Sequence, residues 1–223
     1  MPQLALFPLS LVLLPGMRMP LHIFEPRYRL LLRDVLEGDR SFGLVYRERD
    51  ATTESVPGGT VFCRAVIDEV EQLQDGRANI TIHGSERVRL VRIVPSDKPY
   101  LLGEVEPFAD EREPTAQVTA LALRLQEIFE EAARAARAIS DDPADVPTLS
   151  DDPEAIAFAA AASIDLPAAD RQRLLTSASP SGRMRAMIAL LDASLPSLHG
   201  RVAVHERAKS NGHGPAPAAP EAT

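Results

Sequence analysis

Across residues 1–110 apolar and polar positions alternate over short runs, the period of strands rather than helices. Val61, Cys63, Ala65 and Ile67 share one face of such a run, with Arg64 and Asp68 on the other. Residues 66–73, a turn at Gln74-Asp75-Gly76 and residues 77–83 read as a hairpin, because glycine accepts the positive φ of a tight turn. Gly84-Ser85 is expected to interrupt the series before another strand over 86–94. Further strands are expected at 43–47 and 100–105, and a buried one within the apolar first fifteen residues. One helix breaks the pattern: Pro26 suits a first helical position, and Tyr28, Leu31, Leu32, Val35 and Leu36 follow at helical spacing before Gly38. Many short strands with one early helix predict a small, strongly bent antiparallel β-barrel.

The period then changes. From Pro114, residues Val118, Leu121, Leu125, Ile128, Phe129 and Ala132 form an apolar stripe ending near Ile139. Residues 141–150 read as a loop. Asp152-Pro153 opens a short Ala-rich helix through Ala162, and Asp165-Leu166-Pro167 opens another reaching Leu174 and Leu175. Met184, Met187, Ile188, Leu191 and Leu195 mark a last helix, so this region predicts a bundle of four. The fold class is therefore α+β, with a β-barrel subdomain over 1–110, an α-helical subdomain over 111–200 and a tail over 201–223. That tail ends in a Gly-, Pro- and Ala-rich run unable to bury apolar surface, and is expected to be disordered.

Charge and composition narrow the chemistry. The chain has 24 Lys and Arg against 32 Asp and Glu, a formal net charge of −8, which argues against a nucleic-acid coat. The first fifteen residues lack a basic residue and are too short to cross a bilayer, so no membrane partner and a cytoplasmic location are expected. The single cysteine, Cys63, permits no internal disulfide; in phase with core positions, it reads as a small buried hydrophobe. The only lysines are Lys98 and Lys209, and neither follows a glycine as a phosphate-binding loop requires. No Gly-x-Ser-x-Gly, His-Glu-x-x-His or Gly-x-Gly-x-x-Gly occurs, and the histidines are scattered. The pairs Asp141/Asp142 and Asp151/Asp152 each precede proline and read as helix starts rather than a divalent-ion site. No catalytic residue, metal or cofactor is expected.

What remains is a family pattern. Leu6-Phe-Pro-Leu9, Leu13-Leu-Pro-Gly16 and above all Leu21-His-Ile-Phe-Glu-Pro-Arg-Tyr28 resemble the signature of the N-terminal substrate-binding domain of Lon-type ATP-dependent proteases. The resemblance continues through Phe42-Gly-Leu-Val45, Gly84-Ser-Glu-Arg-Val-Arg-Leu90, Pro99-Tyr100 and the helical positions, over roughly residues 4–195. It implies a bent β-barrel related to the PUA-like fold, followed by a helical subdomain. It also implies a free-standing binding module, since the ATPase and Ser-Lys peptidase modules of those proteases have no room in this sequence.

Two functions stay open. The first is a non-catalytic module binding unfolded or client polypeptides through exposed apolar segments, as an accessory to proteolysis. Its candidate binding residues are Leu14, Met17 and Met19, in a 13–20 segment that two prolines and a glycine mark as a loop. The second is a PUA-like RNA-binding protein using Arg64, Arg77, Arg87 and Arg89. Acidic neighbours and few aromatics make those arginines a solvated face instead. Phe24, Glu25, Pro26, Arg27 and Tyr28 read as structural: Phe24 closing the barrel, Pro26 starting the helix, and Glu25 and Arg27 fixing the corner.

Overall fold

A computed structural model of the chain describes residues 2–48 and 56–211, and only the backbone of the last two. Six strands form one sheet: β1 (Gln3–Leu9), β2 (Arg18–Ile23), β3 (Ser41–Tyr46), β4 (Val61–Gln72), β5 (Ala78–Val94) and β6 (Leu101–Pro107). Helix α1 (Pro26–Leu36) lies between β2 and β3, and α2 (Thr115–Ser140), α3 (Ile156–Ala162), α4 (Ala168–Thr176) and α5 (Pro180–Asn211) follow the sheet. The α+β reading and all five helices are as the apolar periods predict.

The sheet order is β2-β5-β4-β3-β1-β6, and β6 pairs again with β5. The pairing is not wholly antiparallel: β1 runs parallel to β3, with Leu6 opposite Gly43. That correction follows from connectivity, because β2 and α1 lie between the two strands and carry the chain back over. Nor does Gly84-Ser85 end a strand. β5 is continuous for 17 residues, and its two halves serve different partners, β2 near its start and β6 near its end. Gly84 sits there because the chain passes very close: a Cβ would lie 2.1 Å from the Leu14 carbonyl oxygen.

The core joins both subdomains, with Phe7, Phe42 and Tyr28 packed in the same cluster as Leu125, Phe129, Met184 and Met187. Cys63 is buried, as its phase suggests, and burial pushes its thiol up to about 12. Ellman's reagent is therefore expected to leave Cys63 unmodified in the native protein and to titrate it on unfolding. Fast native labelling would refute this placement.

Asp141 and Asp142 do not open a helix. Asp141 closes α2 in the left-handed region (φ 53), and Asp142 accepts from Ala144 N (3.0 Å). Asp152 does serve the turn before α3, accepting from Glu154 N (2.9 Å). The expected tail also begins too early: α5 continues through Pro196 to Asn211. Its last turns dock on α2, with Asp141 accepting from Lys209 and paired with His205 (3.1 Å). These hydrogen bonds hold the Asp141 carboxyl below the usual carboxylate range. The remainder of that tail, 212–223, lies outside the described residues. Among the described residues no helix is long and apolar enough to cross a membrane.

Candidate functional site

The segment read as a loop is half strand. Gly16, at φ +76, donates to Gly84 O (2.8 Å), and Gly84 N donates to Met17 O (2.9 Å). Two residues, Gly16 and Met17, thus oppose one, the arrangement of a glycine-led β-bulge. β2 then runs antiparallel to β5, with Met19 opposite Ile82 and Leu21 opposite Ile80. Among the described residues its other side faces no strand, so β2 is an edge. Counting from Met17, alternate residues turn their backbone groups to β5, which leaves those of Arg18, Pro20 and His22 at the open side. Pro20 has no N–H to leave unpaired there, a feature that blunts an edge against indiscriminate pairing.

The side chains sort accordingly. Met17, Met19 and Leu21 are half-buried and pack on the core, while Arg18, Pro20 and His22 are exposed. Leu14 departs from its expected role: at 0 % exposure it belongs to the core and offers nothing to a partner. It is turned inward beneath the bulge, between the chain reversal and β5.

Phe24 departs in the opposite sense. It is 58 % exposed and closes nothing, because Ile23 takes the inward position at the end of β2. The alternation Met19, Leu21, Ile23 carries this signal in the sequence, since the next residue must point out. The Phe24 ring stacks near His22, with centroids 5.9 Å apart, and His22 Nδ1 is hydrogen-bonded to Asn79 Oδ1 (2.8 Å). The remaining signature residues build the turn into α1. Glu25 is extended ahead of the helix, Pro26 is its first residue, and Glu25 O accepts from Tyr28 N (3.0 Å) and Arg29 N (2.9 Å). Arg27 Nε donates to Glu25 Oε2 (3.0 Å), and the buried Tyr28 ring lies 3.9 Å from that of Phe7. Asp34, further along α1, accepts from Lys98 Nζ (2.6 Å) and Tyr100 OH (2.7 Å). The Lys98 hydrogen bond leads in holding its carboxyl low, while burial pushes the Tyr100 phenol up to about 12.

The four arginines do not make a basic stripe. Arg64 pairs with Glu86 (3.2 Å), Arg77 with Asp75 (2.6 Å) and Arg89 with Glu106 (3.2 Å). Arg87 is buried rather than solvated, because its guanidinium turns from the sheet towards Asp110 and the carbonyls of Leu175 and Ser177. Among the described residues no group of His, Cys, Asp and Glu is placed to hold a metal ion. Along this strand edge Met17 and Met19 lie half-buried on the core side, and Phe24 is exposed beside His22 past its end.

Residues 3–193 match the family described as the ATP-dependent protease La (LON) substrate-binding domain. The chain belongs to this family. Its sequence is 27 % identical over 214 residues to Lon protease 2 of Syntrophobacter fumaroxidans, covering 93 % of this chain and 26 % of that one. It is 28 % identical over 206 residues to Lon protease of Xanthomonas oryzae pv. oryzae, covering 90 % and 24 %. The chain thus spans about a quarter of the length of these curated relatives. The Lon N-terminal domain protein from Xanthomonas campestris superposes with a TM-score of 0.57 at 26 % identity, over 85 % of this chain and 98 % of that one. The N-terminal domain of Mycobacterium avium complex Lon protease shares the fold, with a TM-score of 0.67 at 18 % identity over 86 % and 98 %.

Proposed function

We propose that this LON substrate-binding domain is a non-catalytic polypeptide-binding module that recognises exposed apolar segments of client proteins and acts as an accessory to proteolysis. The match of residues 3–193 to a substrate-binding family carries the reading. The half-buried Met17 and Met19 of the β2 edge and the exposed Phe24 beyond its end support it chemically. Flexible thioethers and an exposed ring fit varied apolar side chains, and the open C=O groups of β2 accept from an extended backbone. Contacts of this kind suit broad recognition with dissociation constants on the order of micromolar, about 8 kcal/mol.

The test is binding of a permanently unfolded model protein by the purified chain. Phe24→Ser is the clean variant, since the exposed ring contributes little to packing; it is expected to weaken binding about ten-fold, or about 1.4 kcal/mol, without moving the melting temperature. Met17→Ser/Met19→Ser is expected to weaken it further, with some loss of stability because both side chains also pack on the core. A wild-type chain that ignores the unfolded protein would overturn the reading. Undiminished binding by Phe24→Ser and the double variant would move the site elsewhere.

A further inference from the structure

A second apolar concavity lies away from the β2 corner. A hollow of about 470 Å³ opens between α2, α5 and the α3–α4 connection, within the size range of ligand-binding clefts. Phe129, Leu166 and Leu191 are buried at its floor, and Ala136 and Leu190 are exposed at its lips, Leu190 by 36 %.

The serine hydroxyls and Arg137 in its walls already have donor contacts. Ser140 Oγ donates to Ala136 O (3.3 Å) and Arg137 O (3.2 Å), Ser163 Oγ to Ala159 O (2.9 Å) and Ser194 Oγ to Leu191 O (2.8 Å). Arg137 Nη1 donates to Asp142 Oδ2 (2.9 Å) and Ala144 O (2.8 Å). Each serine has spent its one hydroxyl proton on a helix carbonyl and Arg137 is anchored to the α2–α3 connection, so the walls leave few donors for a polar occupant, whereas aliphatic or aromatic side chains need none.

The rim adds a charge preference. Asp142 and Pro147, from the α2–α3 connection, line the hollow together with Asp165. Residues 141–155 of that connection carry Asp141, Asp142, Asp145, Asp151, Asp152 and Glu154 and no basic residue. Lys209 and Arg137 answer the first two from α5 and α2, and the segment remains negative beyond them. At the hollow itself Asp142 is paired with Arg137, so Asp165 and the acidic residues further along the connection carry the preference, opposed by Arg171, whose Nη2 donates to Ile164 O (3.0 Å). The balance favours cations beside the cleft and repels acidic flanks.

From the apolar floor, the donor-poor walls and the acidic rim together, we infer that this groove is a polypeptide subsite that takes an apolar segment flanked by Lys or Arg. The inference rests on the polypeptide-binding reading and narrows its substrate class.

The test uses the full chain and two unstructured fluorescent peptides sharing one Leu/Phe core, flanked by lysines in one and by aspartates in the other. The lysine-flanked peptide is expected to bind at least five-fold more tightly, and the difference is expected to shrink with added salt. Ala136→Trp fills the mouth, and Leu190→Arg removes a lip and repels basic flanks. Each is expected to weaken the lysine-flanked peptide about ten-fold. Leu123→Arg, on an exposed α2 position outside the groove, is expected to change nothing. Should Ala136→Trp misfold, Leu190→Arg alone decides. Wild-type affinity in the groove variants, alongside binding of the unfolded protein, would overturn the groove and leave the functional reading intact. Failure of the wild-type chain to bind either peptide or the unfolded protein would remove both. Concentration-dependent dimerisation abolished by Leu190→Arg, with peptide binding unchanged, would assign the groove to a second copy and overturn the proposal.

Discussion

Replacing Asp110 with alanine is expected to lower stability by about 3–5 kcal/mol, the cost of removing one partner from a buried charge cluster. Asp110, between β6 and α2, accepts from Arg87 of β5 and from Arg183 of α5, the latter at 2.6 Å through Nη2 and Oδ2. Arg183 is 0 % exposed and Arg87 nearly so. Their other donors reach the carbonyls of Leu175 (3.0 Å), Ser177 (2.7 Å from Arg87) and Glu154 (2.9 Å). The guanidinium carbons lie 5.4 and 4.5 Å from the Phe158 ring centroid. Two cations therefore share one anion inside the protein. Burial already draws the Arg87 guanidinium below its usual range, with Asp110 opposing and Arg183 adding to the shift. Without the carboxylate both cations stay desolvated and repel each other. Asp110→Asn keeps an acceptor and loses the charge, so it is expected to fall between wild type and alanine. Urea denaturation measures all three. A domain of this size has about 5–15 kcal/mol in total, so an unshifted midpoint in Asp110→Ala would dismiss the cluster as the clamp between sheet and helices.

This clamp was not legible in the sequence. Arg87 alternates with Arg89 along a strand, and local alternation assigns both to solvent. The carbonyls that bury Arg87 come from residues 88 and 90 positions later, which no period reveals. Helices were readable because each carries its own apolar stripe and its own proline or acidic start, as at Pro26 and Asp152. The α5 extension was missed because the Gly- and Pro-rich end of the chain coloured the reading of residues 201–211, whose docking depends on Asp141 at the far end of α2. The proposed corner was half legible. Met17 and Met19 follow from the methionines themselves, but burying Leu14 and exposing Phe24 both depend on treating 18–23 as a strand. Pro15, Gly16 and Pro20 concealed that strand: as punctuation they mark a loop, and in place they make a bulge and a blunted edge.

Gly84 decides whether that corner can form. A methyl group there would lie 2.1 Å from Leu14 O, 2.8 Å from Leu14 C and 3.0 Å from Cys63 Sγ. The first two contacts are with backbone, so no side-chain rotation relieves them. Gly84→Ala must push the 14–17 segment off β5, breaking the bonds from Gly16 N to Gly84 O and from Gly84 N to Met17 O. Overpacking together with two lost buried hydrogen bonds is expected to cost on the order of 3 kcal/mol. Gly38→Ala is the control: the nearest atom to its new Cβ would be at 3.7 Å, an ordinary contact, so stability should hold or rise slightly. The amides of Gly16 and Gly84 should lose hydrogen-exchange protection in Gly84→Ala well before those of β3 and β4, since only the edge is displaced. Binding of unfolded protein should fall with them, because this bulge sets how Met17 and Met19 enter the edge of the sheet. If Gly84→Ala keeps wild-type stability and edge protection, the close approach does not hold the corner, and Met17 and Met19 owe their placement to the core alone.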